Sequence, residues 1–213
     1  MVVDSLDKKR KIIDLYYNLL EKHGEPALTP QWSFWCKRPK NSEEKERIVI
    51  ESILTQRANW KNVELAVSKL QKSNLMSLQN ILSTPNKKIE FLIKPSGFYI
   101  QKAKRLKNLA KFFVKGLGGI EKAETLKTAE LKIKLLEIDG VGDETADDIL
   151  LYAFERPVFV IDEYTRRFAL KHNLTNKLTY HHMQQIFENA LEKDYKIYQD
   201  YHALIVIEMK GQK

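Results

Sequence analysis

Apolar residues recur three and four apart along almost the whole chain, and no long stretch alternates apolar with polar. That period restricts the fold class before any other feature does. Ile12, Ile13, Tyr16, Leu19 and Leu20 mark one helical face, closed by His23-Gly24. A loop with Pro26, Pro30 and Pro39 follows. Asn41 and Glu44 have the spacing of a reciprocal cap, and Ile48, Ile50, Ile53 and Leu54 continue from it. Val63, Leu65, Ala66, Val67 and Leu70 continue on another helix, and short helices fit residues 77–82 and 86–93. Residues 100–115 read as a basic amphipathic helix, stopped by Gly116-Leu117-Gly118-Gly119. Thr128 is expected to cap 130–138, and Asp143 to cap 144–154. Three more helices fit 162–171, 179–191 and 195–209. Residues 157–161 are β-like but short. The pattern predicts an all-α fold with short connections.

At 213 residues with 43% apolar content, a real core is within reach. Lys plus Arg number 36 against 28 Asp plus Glu, a formal charge of +8. Both signs are mixed through the chain, which argues against a disordered polycation and makes a polyanion the first partner to test. No apolar run reaches the ~20 residues of a membrane span, and the polar start does not read as a secretory signal. A soluble, monomeric, cytoplasmic protein is expected, nucleoid-associated in a prokaryote. The single cysteine, Cys36, excludes an intrachain disulfide, a cysteine-based zinc site and a four-cysteine iron–sulfur cluster from these residues.

The most informative segment is Gly140-Val141-Gly142 between two helical patterns. Glycine accepts positive φ and permits close backbone approach. Loop amides and the start of the next helix then make an anion site suited to a DNA phosphate. The residues alone leave a plain helix–helix corner equally open. Asp162 follows 22 residues after Gly140, behind Pro157-Val158-Phe159-Val160-Ile161.

The segments LLEIDGVGDETADDILLYAF and VFVIDEYTRRF resemble the hairpin and catalytic-aspartate segments of the helix-hairpin-helix DNA glycosylases of the endonuclease III superfamily. Upstream, ESILTQRANWKNVELAVSKL resembles that family's helix pair with a glutamine wedge. Within the superfamily the chain is most similar to the cluster-free 3-methyladenine DNA glycosylase III type. The resemblance implies a two-lobed all-α fold with a DNA cleft between lobes. One lobe would span 42–154 and end in the hairpin; the other would combine 1–41 with 155–213. It also implies double-stranded DNA with a damaged base as partner and no iron–sulfur cluster, with a monovalent cation at the hairpin carbonyls as a cofactor option.

By that resemblance Asp162 is the catalytic carboxylate, stabilising positive charge on the sugar and orienting the attacking water. As a residue it reads equally as a helix N-cap. Gly140, Val141, Gly142 and Thr145 would hold DNA. Gln56 would fill the gap left by the flipped base, with Arg57 on a phosphate. Trp60 would stack on the extruded base, or else lie in the core. Trp32 and Trp35 are further pocket candidates, although the family's tryptophan pair followed by proline is spaced differently here. The type's pocket lysine falls on Leu204, so none is carried over. His181-His182 reads as a surface pair and no metal is expected. Lys102, Lys104, Arg105, Lys107, Lys111 and Lys115 form a basic face for DNA or a solvated outer face, and Lys37, Arg38, Lys40, Arg166 and Arg167 add charge.

Bifunctional members carry a lysine two residues after the second hairpin glycine; Glu144 stands there, so the resemblance implies a monofunctional enzyme. The expectation is hydrolytic removal of an alkylated purine. The alternatives are a pyrimidine or mismatch glycosylase with lyase activity, and a non-catalytic DNA-binding protein.

Overall fold

Twelve α-helices and no strand occur among the described residues, 2–211, of the computed structural model. The side chains described are those of residues 6–211. The chain divides into two compact units, Met1–Arg38 with Glu155–Lys213, and Pro39–Phe154.

The first unit contains α1 (Val2–His23) and, from the second half of the chain, the three helices Glu163–Lys171, Tyr180–Ala190 and Tyr195–Lys210. The first and last of these four pack against each other. The core between them is aromatic: Phe159 stacks on Phe187 at 4.5 Å, and both meet Tyr201 edge-on. The Tyr201 hydroxyl donates to the carbonyl of Ile12 at 3.0 Å, tying α1 to the last helix. The β-like stretch 157–161 is extended but joins no sheet. Side chains of the Tyr180–Ala190 helix and its neighbours satisfy its backbone instead. Phe159 N–H donates to Glu188 at 2.9 Å, the Phe159 carbonyl accepts from Gln184 at 2.7 Å, and Ile161 N–H donates to the Tyr180 hydroxyl.

The second unit is built around α2 (Ser42–Leu54), which opens on a complete capping box between Asn41 and Glu44. Residues 48–54 are all buried, so this helix is covered on every side, unlike an amphipathic surface helix. Around it lie α3 (Trp60–Lys72), α4 (Leu78–Ser83), α5 (Asn86–Ile93), α6 (Tyr99–Lys111), α7 (Ile120–Glu124), α8 (Thr128–Leu136) and α9 (Asp143–Asp148). In chain order the three helices of the first unit are then α10, α11 and α12.

Four local expectations change. The basic helix starts at Tyr99 and widens into a π-helical stretch, Phe112–Leu117, before the glycines stop it. A second π-helical stretch, Ile149–Ala153, continues α9. Lys127, not Thr128, is the N-cap of α8, and Thr128 is the first helical residue. Likewise Gly142, not Asp143, caps α9, and no side chain caps either helix.

Candidate active site and DNA-binding hairpin

In the first unit Asp162 is the N-cap of α10. Its Oδ1 accepts from the Thr165 amide at 2.7 Å and the Thr165 hydroxyl at 2.8 Å. Its Oδ2 stands 3.7 Å from Nε2 of His202, on α12, and the carboxylate side chain is 16% exposed. Burial pushes this carboxyl up, but His202 and Thr165 together outweigh it and hold the group below the usual carboxylate range. The result is an ionised carboxylate with one oxygen fixed by the cap and the other turned to a buried imidazole. The cap reading and the carboxylate reading of Asp162 describe the same arrangement.

Sequence reasoning left His202 unassigned. The signal was its helical phase: Tyr198, Tyr201, His202 and Ile205 all lie on buried positions of α12. The imidazole meets Trp32 edge-on at 6.0 Å, and Trp32 meets Trp35 edge-on at 6.2 Å. Both tryptophans are buried, and they link the Asp162–His202 pair to the segment after α1. Leu204 lies wholly in the core. The last helix carries a lysine six positions later than Leu204. Lys210 holds its ammonium 5.6 Å above the Tyr164 ring. Burial lowers its pKa while the charge of Asp162 pulls it back up.

The hairpin lies in the second unit with Gln56, Arg57 and Trp60. Both ends of the Gln56 amide are engaged there. Nε2 donates to the Gly140 carbonyl at 3.1 Å and to the Thr145 hydroxyl at 2.9 Å, and Oε1 accepts from Arg105 at 2.5 Å. Thr145 is buried under this contact. Arg57 is exposed and takes φ +49°, a strained position for a residue with a Cβ. Trp60, half-buried, is the first residue of α3 after the Asn59 cap. Gln56 and the hairpin are therefore brought together, while Trp32 and Trp35 belong to the unit that holds Asp162.

The two hairpin glycines differ. Gly140 has φ +93°, and a Cβ there would run into the Arg105 side chain. Gly142 is extended, and a Cβ there would meet nothing within 4 Å. Of the two, only Gly140 has the positive φ that calls for glycine in the turn itself. Val141, between them, is buried and donates its N–H to the Ile138 carbonyl at 2.9 Å.

The basic residues also separate. Lys102 is 1% exposed and donates to the carbonyls of Leu54 at 2.8 Å and Ser96 at 2.7 Å. Lys107 caps α4 through the Leu82 carbonyl, and Lys104 pairs with Asp139. Arg38 grips both oxygens of Asp200 in a bidentate pair, and Lys40 is buried. Lys102 and Lys40 are thus buried and Arg38 is committed to Asp200, so these three do not form a basic face.

A family model described as HhH-GPD superfamily base excision DNA repair protein matches residues 50–193. A protein of Methanocaldococcus jannaschii described as a DNA repair glycosylase is 42% identical over 203 residues, covering 94% of this chain and 87% of that one. Endonuclease III of Thermotoga maritima is 27% identical over 158 residues, 73% of this chain and 70% of the relative. Among solved structures, H. pylori 3-methyladenine DNA glycosylase bound to 1,N6-ethenoadenine superposes with a TM-score of 0.75 at 25% identity, covering 98% of each chain. No described helix is long and apolar enough to cross a membrane.

Proposed function

The chain belongs to the HhH-GPD superfamily of base excision DNA repair proteins, and from that premise we propose that it is a monofunctional DNA glycosylase acting on an alkylated purine in duplex DNA. The ionised, half-committed carboxylate of Asp162 carries this reading. As the N-glycosidic bond breaks, its electron pair leaves with the base and positive charge grows on the sugar. A carboxylate in a water-poor site opposes that charge, then takes a proton from the water that attacks the anomeric carbon. The products are a free base and an intact abasic sugar. His202 and Thr165 keep the carboxylate ionised and aimed. Trp60, half-buried, supplies aromatic surface for the extruded base, while Trp32 and Trp35 are buried beside His202 and support that imidazole.

A purine alkylated at a ring nitrogen such as N3 carries positive charge and leaves without a proton donor. The H. pylori relative, a 3-methyladenine glycosylase holding an ethenoadenine, supports that substrate class. On the DNA side, Gly142 fits the close approach of a phosphate backbone, because nothing within the chain requires glycine there. Gln56 acts as the wedge by leaving Gly140 and Thr145 for the base orphaned by flipping. A monovalent cation, where bound, would take the Gly140 carbonyl that Gln56 vacates. The sequence has one cysteine, Cys36, which is buried, so a four-thiolate iron–sulfur cluster has no ligand set in these residues and no step runs through one.

The test is base release from methylated duplex DNA by the parent and by Asp162→Asn, with freed bases identified by chromatography. Release of 3-methyladenine by the parent and its loss in the variant are expected. No release from methylated DNA would overturn the substrate class, and release by Asp162→Asn would overturn the role of the carboxylate.

A second reading rests on Lys210. Glu144 occupies the place of the lyase amine, but Lys210 is an amine with a lowered pKa within the electrostatic reach of Asp162. Borohydride reduction in the presence of substrate traps a Schiff base if this amine attacks the sugar. A trapped species that vanishes in Lys210→Met would replace the monofunctional reading with a lyase one.

A further inference from the structure

An open groove of about 520 Å³ lies in the second unit beside the entry to the hairpin. Asn108, Lys111, Phe112 and Lys115 line one side, and Ile138 and Asp139, which lead directly into Gly140, line the other. Asn108 donates to the Asp139 carbonyl at 3.3 Å and joins the two walls. The lysine wall belongs to the segment where α6 widens into the π-helical stretch, a distortion that recurs at functional sites.

Charge decides what the groove suits. Lys111 and Lys115 are both exposed, and among the described residues neither ammonium is held in a hydrogen bond or ion pair. The acid on the opposite wall is already neutralised, because Lys104 stands 2.8 Å from the Asp139 carboxylate. Two uncommitted cations thus face a wall whose own charge is cancelled. Phe112 and Ile138 add apolar surface between the charged groups. A chain of phosphates joined by sugars has this alternation of anionic and less polar parts.

We propose that this groove holds DNA backbone next to the hairpin, with one phosphate on Lys111, another on Lys115 and a sugar against Phe112 and Ile138. It extends the DNA contact beyond the hairpin along the wall that leads into it. The inference rests on the reading of the chain as a DNA-binding enzyme. It predicts a contact that positions the duplex without reading its sequence.

The experiment is the salt dependence of binding to an undamaged duplex by the parent, Lys111→Ala/Lys115→Ala and Lys111→Arg/Lys115→Arg. Each phosphate neutralised contributes roughly 0.9 to the log–log slope, so the alanine pair should flatten it by about 1.8 and weaken binding most at low salt. The arginine pair should keep the parent slope. Equal slopes for the parent and the alanine pair would overturn the groove while leaving the glycosylase reading intact. A slope lost in the arginine pair would also overturn it, since the effect would then not be one of charge. A parent that binds no duplex DNA would overturn the functional reading, and the groove with it.

Discussion

Arg105 lies across Gly140: a Cβ on that glycine would stand 2.6 Å from both Cδ and Nε of the arginine. The same guanidinium holds Oε1 of Gln56, whose amide nitrogen reaches back to the Gly140 carbonyl. Glycine at this position therefore permits a closed ring of contacts joining α6, the turn after α2 and the hairpin.

The two hairpin glycines should consequently fail in different ways. Gly140→Ala meets both a positive φ and the arginine stem, and should cost about 1–3 kcal/mol of stability. Gly142→Ala has open space and extended backbone, so its stability should stay within about 0.5 kcal/mol of the parent. Its DNA affinity should nevertheless fall about tenfold or more, a loss of roughly 1.4 kcal/mol of binding. Thermal unfolding and duplex-binding titrations of both variants check this. Unaltered DNA binding in Gly142→Ala would mean that no backbone approaches there.

His202→Phe should move the acid limb of base release to higher pH. Burial raises the carboxyl of Asp162, and His202 is the leading group opposing it, ahead of Thr165. Removing the imidazole leaves burial less opposed, so the carboxylate is protonated at a higher pH than in the parent. Phenylalanine keeps the edge contact with Trp32, which separates charge from packing. The pH profile of base release is the measurement. An acid limb that stays in place would show that His202 does not support the carboxylate.

Much of this was legible in the sequence because helix periodicity and caps are local. The Asn41–Glu44 capping box formed as its spacing predicts. So did the helical segments of 86–93, and the turn at Gly140. What the sequence did not disclose depends on contacts between distant residues. His202 lies 40 positions from Asp162, and nothing near it in the chain marks it as a partner. Six basic residues between 102 and 115 look alike as letters. One is buried on two carbonyls, others serve internal partners, and Lys111 and Lys115 face solvent. The β-like run 157–161 has strand composition, but glutamate, glutamine and tyrosine side chains take its backbone bonds in place of a sheet.

Glu208→Gln should weaken the first unit. The carboxylate accepts from Lys22 at 2.7 Å and contacts His23 at 2.7 Å, so α12 holds the end of α1. The Lys22 bond lowers its pKa, burial works against that, and His23 lowers it again, to about 2. A depressed carboxylate stabilises the fold above its unfolded pKa near 4.5, and that contribution disappears as pH falls toward 2. Lys22 is largely exposed, so solvent screening reduces the gain to about 1–2 kcal/mol. Denaturant unfolding at pH 7 should show this loss, and the gap between parent and variant should narrow by pH 3.

Lys102 should make the protein more stable as pH rises from 8 to 10. Burial, and then the charge of Arg105, lowers its pKa from 10.5 to about 8. Between those values the unfolded chain binds the proton and the folded chain does not, so stability increases with pH, by up to about 3 kcal/mol across the window. The neutral amine still has two N–H donors, enough for the carbonyls of Leu54 and Ser96. Those carbonyls precede two strained corners, Arg57 at φ +49° and Phe98 at φ +46°, and the amine pins both. Lys102→Met strands two buried acceptors and should cost about 1–3 kcal/mol at neutral pH. It should also abolish the rise above pH 8, because nothing then titrates at that position. Unfolding free energies of parent and variant at pH 7, 8, 9 and 10 decide the matter, and parallel curves would show that Lys102 does not carry the linkage.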